Sequence, residues 1–99
     1  MKSMYRVVEL DILYEPWWFF EGWKDDIVKM REFQDFTQAL DFYKEYQRQM
    51  SANFEDSDSR GSLLQAYWNE EERAWCDACD EDIQRFHGLC LLKGWEKIS

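Results

Sequence analysis

One proline, four glycines, three cysteines and a single histidine are all this 99-residue chain has of those residue types, and it has no long apolar run. Each scarcity excludes something. The glycines stand apart at 22, 61, 88 and 94, so neither a phosphate-cradling loop nor a dinucleotide-binding fingerprint can be built from them. With His87 as the only imidazole, serine or cysteine nucleophilic chemistry would have to pass through that residue, and no nucleophile-elbow motif accompanies it. The expectation is a protein that is not an enzyme. No stretch approaches the roughly 20 apolar residues that span a bilayer, and Arg6, Glu9 and Asp11 break up the only candidate for a signal-peptide core. A cytoplasmic location is therefore expected, where thiols stay reduced and an odd number of cysteines is unremarkable. Basic residues are also scarce, 12 against 21 acidic, for a net charge of −9. Nucleic acid and anionic membrane are bound chiefly through Lys and Arg, so that balance speaks against both.

What the chain does have is rings: six Trp, five Tyr and seven Phe, 18% of all residues. Large aromatic side chains bury much area each, which helps so short a chain close a core. The length suits one domain over residues 1–99, and no repeat or linker divides it.

Residues 4–13 alternate, with Val8, Leu10 and Ile12 on one face and Glu9 and Asp11 on the other, the pattern of a half-buried strand. Residues 27–33 form a second strand whose Lys29 and Arg31 would lie opposite Glu9 and Asp11 in an antiparallel pair. Asp35 and Gln38 resemble a capping box. Phe36, Ala39, Leu40, Tyr43, Tyr46 and Met50 then recur at steps of three and four, predicting a helix over about 36–52. Residues 55–62 carry no apolar side chain and read as a solvated loop. Leu64, Ala66 and Trp68 mark a third strand, 73–76 a short one and 86–93 a last, leucine-rich one. The class is α+β: a small, mostly antiparallel sheet of about four to five strands with one helix on one face.

The segment CDACDEDIQRFHGLC, residues 76–90, holds every cysteine and the histidine. Cys76, Cys79, His87 and Cys90 have the residue types of a tetrahedral zinc site, and zinc is the one cofactor the sequence suggests. Geometry opposes it. Residues three apart on a strand point to opposite faces, so His87 and Cys90 would converge only if the backbone bulged, for which Gly88 is the candidate. On a regular strand His87, Leu89 and Leu91 share one face, and Cys90 packs with Phe86 and Leu92. Redox chemistry is disfavoured by Asp77, Asp80, Glu81 and Asp82, whose charge raises thiol pKa. Those carboxylates also lack the alternation of a calcium-binding helix–loop–helix.

The segment YEPWWFFEGW, residues 14–23, packs its rings too densely for all of them to point inward from one element. Most are expected to plug the core beside the first strand and the helix. Those left at the surface, drawn from Trp17, Trp18, Phe20 and Trp23 and flanked by Glu15 and Glu21, would form an aromatic and acidic surface suited to a cationic group. The leading expectation is thus a non-catalytic interaction module for a protein or peptide partner of basic character. A nucleic-acid (DNA) binder is the alternative and would need Arg6, Lys24, Lys29 and Arg31 gathered on one face; a small zinc-binding module is the second alternative. An exposed sheet edge or aromatic patch also gives a homo-oligomer somewhere to form.

Two stretches, YEPWWFFEGWKDDI at residues 14–27 and YWNEEERAWCDACDEDIQRFHGL at residues 67–89, resemble the small bacterial proteins grouped as the domain-of-unknown-function family numbered 1033. The resemblance runs from about Tyr5 to Gly94. It implies no established activity, cofactor or catalytic residue, although members are sometimes labelled DNA-binding.

Overall fold

The computed structural model describes residues 4–19, 21–61, 63–76 and 81–98. Strand β1 (Tyr5–Ile12) leads through two single 3₁₀ turns, Pro16–Trp18 and Trp23–Asp26, into β2 (Ile27–Phe33). Helix α1 (Phe36–Asn53) follows, then β3 (Asp56–Ser59), β4 (Leu64–Trp68), β5 (Arg73–Cys76), β6 (Glu81–Gln84), β7 (Phe86–Lys93) and β8 (Glu96–Lys97). The main sheet has six strands in the order β2-β1-β7-β4-β3, all antiparallel, with β8 paired to the end of β7. The expected α+β architecture, one helix on a mostly antiparallel sheet, is what the chain adopts.

Helix α1 begins where the sequence signals it: the Asp35 side chain accepts a hydrogen bond from the Gln38 amide at 3.2 Å. Its stripe buries Ala39, Tyr43 and Met50 against Val7, Tyr67, Leu89 and Leu91 on one face of the sheet. On the opposite face Val8, Leu10, Ile12, Leu64, Ala66, Cys90 and Leu92 form a second core around Trp17. Strand β7 is thus covered on both sides, and Leu89 to Leu92 are all fully buried.

Register corrects one expectation. Lys29 does lie opposite Glu9, but Arg31 lies opposite Val7, and Asp11 faces His87 of β7 instead. A shift of two residues leaves every side chain on its own face, so alternation cannot tell the two registers apart. The observed one places Arg6 directly opposite Glu32, where they form an ion pair at 2.9 Å.

The segment at 55–62, expected to be a loop, contains β3, an edge strand with all four residues exposed. Its side chains bury nothing and so show no alternation; only backbone pairing with β4 makes it a strand. The β5–β6 pair forms a separate two-stranded sheet beyond the β4–β7 pair, and β6 was not foreseen because its four residues, EDIQ, include a single apolar side chain and so show no alternation.

Gly88 is not a bulge. It pairs in unbroken register with Leu10 on one side and Ala66 on the other, and what its missing side chain allows is the close approach of Pro16. A Cβ at position 88 would lie 2.6 Å from the Pro16 Cβ and 3.0 Å from its Cγ. Both neighbours are rigid, one a ring and the other a central strand. Gly88→Ala is therefore expected to destabilise the fold by about 1–3 kcal/mol through overpacking, measured as a lowered urea midpoint; an unchanged midpoint would mean that the Pro16 turn lifts away at no cost.

Candidate functional site

The second core is roofed by the aromatic segment, and this is where most of its rings go. They pack beside β1, as expected, but across the sheet from the helix. Glu15 is extended, as a residue preceding proline tends to be, and Pro16 seats Trp17 in the core at 6% exposure. Phe19 takes a left-handed backbone conformation (φ 47°) that turns the chain and meets Trp23 edge-on at a centroid distance of 4.8 Å. Trp23 in turn meets Trp95 at 5.9 Å.

Of the residues expected to form a contact surface, Trp17 is therefore interior and Trp23 half-buried, while Glu21 is exposed. Trp18 is 52% exposed, and its indole N–H donates to the Glu15 carboxylate at 3.0 Å. Phe20 lies outside the described residues. The rings already carry this chain's own cations. The Arg60 guanidinium lies 5.3 and 5.7 Å from the Trp17 and Trp18 rings, Arg6 and Lys24 lie over Trp95 at 4.2 and 4.4 Å, and Lys97 lies over Phe19. A partner's cation would have to displace them.

His87 and Cys90 lie on opposite faces of the sheet, and Cys76 is the last residue of β5. The His87 ring rests on Phe54 at 4.7 Å, on the helix side, with Nε2 at 3.3 Å from Glu72. Cys90 is buried in the opposite core, where loss of water pushes its thiol pKa up to about 12. A regular β7 sends the imidazole and this thiol apart. Cys79 and the rest of 77–80 lie outside the described residues. Among the described residues, no three metal-binding side chains come together.

One concave surface brings together acidic and apolar groups that no expectation had joined. It is a groove of about 620 Å³ between the end of β1, the second 3₁₀ turn and β6, lined by Asp11, Ile12, Leu13, Tyr14, Asp26, Ile83 and Arg85. Strand β6 forms one wall, and Gln84 fixes its base: the side-chain amide donates to the carbonyls of Glu72 at 2.7 Å, Asn69 at 3.0 Å and Arg85 at 3.1 Å. The Arg85 amide adds a bond to Glu72 O at 3.0 Å. Arg85 then reaches across to Asp11 in a two-pronged contact, with Nε donating to Oδ1 at 2.6 Å and Nη2 to Oδ2. Those bonds hold the Asp11 carboxyl below its usual range despite partial burial.

Asp26 is in the opposite condition. No cation pairs with it among the described residues, and burial, then the charges of Asp25 and Asp11, push its pKa up. Tyr14 is raised as well, by burial first and by Asp26 second. The groove therefore joins an uncompensated carboxylate to exposed Leu13 and half-buried Ile83. Sequence reading missed it because Asp11 and Arg85 meet across 74 positions.

These features define a small α+β protein with one helix over a mostly antiparallel sheet, a separate two-stranded β5–β6 sheet and an acidic groove beside β6. The chain belongs to the family described as "Protein of unknown function (DUF1033)", whose profile matches residues 4–99. No curated protein and no solved structure matches it.

The Asp26 environment has a measurable consequence. A carboxyl whose pKa is raised by folding costs stability once ionised, and the cost disappears below the unfolded value of about 3.9, where both states are protonated. Asp26→Asn is expected to raise the urea midpoint at neutral pH, and the gain should vanish as pH falls below about 4. A gain that persists in acid would show that charge is not its source.

Proposed function

We propose that this protein is a non-catalytic, cytoplasmic interaction module, and that the groove bounded by Asp11, Tyr14, Asp26 and Ile83 receives a basic, partly apolar segment of a partner protein. The observation that carries this reading is the Asp26 carboxylate, held in a partly desolvated position among other acids with no cation paired to it among the described residues. A Lys or Arg side chain entering the groove would supply the missing charge in a setting less screened than open surface, while Ile12, Leu13 and Ile83 accept its aliphatic stem or an apolar neighbour. The Arg85–Asp11 pair would fix the wall against which the segment lies. This shifts the binding surface from the exposed-ring expectation, because Trp17 is interior and Trp18 already sits beside Arg60.

The distribution of cations favours this reading over nucleic-acid binding. Lys29 and Arg31 leave the sheet on the helix side, opposite Glu9 and Val7, whereas Arg6 and Lys24 meet over Trp95 on the other. The four do not form the continuous basic track that a phosphate backbone needs.

A short peptide alternating Lys and Leu is expected to bind, with affinity that falls as salt rises and falls several-fold, by roughly 1 kcal/mol, on Asp26→Asn. Titration calorimetry on the wild type and this variant measures both. Equal binding by the variant, or equal binding of a peptide in which Gln replaces Lys, would remove the groove as the site.

A further inference from the structure

The two edges of the six-stranded sheet differ. At one end, β3 is four residues long and carries Asp56 and Asp58, a short, negatively charged edge. At the other end, β2 is seven residues long. Its bulge lies at one end, where Val28 has no partner in register, so residues 29 to 33 run in regular pairing with β1 and leave their outer backbone groups unpaired within the sheet.

This free edge carries two exposed cations in a chain whose net charge is −9. Lys29 and Arg31 point to the helix side, opposite Glu9 and Val7. Neither forms an ion pair among the described residues. Arg31 lies 5.3 Å from the centre of the Phe42 ring and 5.7 Å from that of Phe33, so contact with rings rather than with a carboxylate holds it. Both cations line a groove of about 320 Å³ between β2 and α1, together with Val7, Phe42 and Tyr46. Glu9, across from Lys29, is the one carboxylate lining that groove and also accepts from the Tyr46 hydroxyl, so the groove sets two cations against a single negative charge. On the other face of the strand Met30 is 46% exposed.

From this combination we infer that β2 is a docking edge for an extended acidic segment of a partner protein, which joins the sheet as a further strand beyond β2. Backbone hydrogen bonds supply affinity in such an arrangement, and alternate side chains supply selectivity. Two acidic residues two positions apart would lie across from Lys29 and Arg31, and the residue between them, on the Met30 side, would be apolar. A same-face apolar side chain further along would enter the groove beside Phe42 and Tyr46.

The strand's own charges disfavour a second copy as occupant. Two-fold antiparallel pairing of one edge with itself keeps like faces together. Centred on Met30, it sets Lys29 against Arg31 of the second copy; centred on Lys29 or Arg31, it sets that cation against itself. A single charge pattern thus repels self-association and attracts an acidic strand. The edge is distinct from the groove at Asp26, so the two proposals stand or fall separately.

A short peptide alternating Glu and Val tests the inference, with binding followed by titration calorimetry and by chemical-shift changes at residues 29 to 33. Binding is expected to weaken about tenfold in the double variant Lys29→Gln and Arg31→Gln and to be unaffected by Asp26→Asn. N-methylation of alternate peptide amides, which blocks strand addition while keeping charge, should abolish it on one of the two alternations. Failure to bind, binding undiminished by the double variant, or binding that tolerates both methylated peptides would overturn the proposal. So would a dimer seen by sedimentation that the double variant strengthens, because the edge would then belong to a second copy. Equal affinity for a single-stranded oligonucleotide would reduce the site to a nonspecific anion contact.

Discussion

The contact between Pro16 and Gly88 is the constraint on which much of the remaining architecture rests. Strand β7 lies between β1 and β4 with a core on each face, and at its centre one residue has no side chain. Into that space fits the ring of the only proline in the chain. Proline's fixed φ starts the 3₁₀ turn, the turn delivers Trp17 into the second core, and the following residues run along the sheet to Trp23 and into β2. A larger residue at 88 would lift the roof from the sheet, and the seat of the aromatic segment would go with it. Since the groove is built partly from Tyr14 and Asp26, the residues on either side of that segment, the constraint reaches the candidate site too.

Charge is handled by separation. The chain carries nine more acids than bases, and several of its cations lie over aromatic rings. Arg6, Lys24, Arg60 and Lys97 hold to the Trp and Phe side chains that roof the second core, where each contact is worth about 0.5–1 kcal/mol at an exposed site. Cations held there are not available to neutralise Asp26. The surplus of rings therefore shapes the electrostatics of the groove indirectly, by engaging positive charge elsewhere. On the other side of the sheet, the register sets Arg31 against Val7 and Lys29 against Glu9, whose carboxylate also accepts from the Tyr46 hydroxyl, and neither cation forms an ion pair among the described residues.

How far the fold was legible depended on how much each element buries of itself. Helix α1 announced its start through Asp35 and its face through Ala39, Tyr43 and Met50, and the structure places all of them as that pattern requires. Strand β1 was equally plain, since Val8, Leu10 and Ile12 bury on one side. β3 left no such trace, being a strand through backbone pairing alone, and β6 has too few apolar residues to show alternation. The divergence of His87 and Cys90 followed from strand alternation, and the pairing of β7 bears it out. The groove was hidden: Asp11, Asp26 and the Ile83–Arg85 stretch come from three separate segments, and nothing in the spacing of segments that far apart indicates that they meet.

The sequence by itself determined the class of fold, the helix and its buried face, the hydrophobic alternation of β1 and the excess of negative charge, because each is a property of neighbouring residues and of composition. Tertiary structure alone decided the register of β1 on β2, the side of the sheet on which the aromatic segment settles, and which charges find partners. Those depend on which distant atoms share a space. A two-residue slip or a change of face leaves every local pattern intact, and only the joint packing of Pro16 on Gly88, Arg6 beside Glu32 and Arg85 against Asp11 distinguishes one arrangement from another.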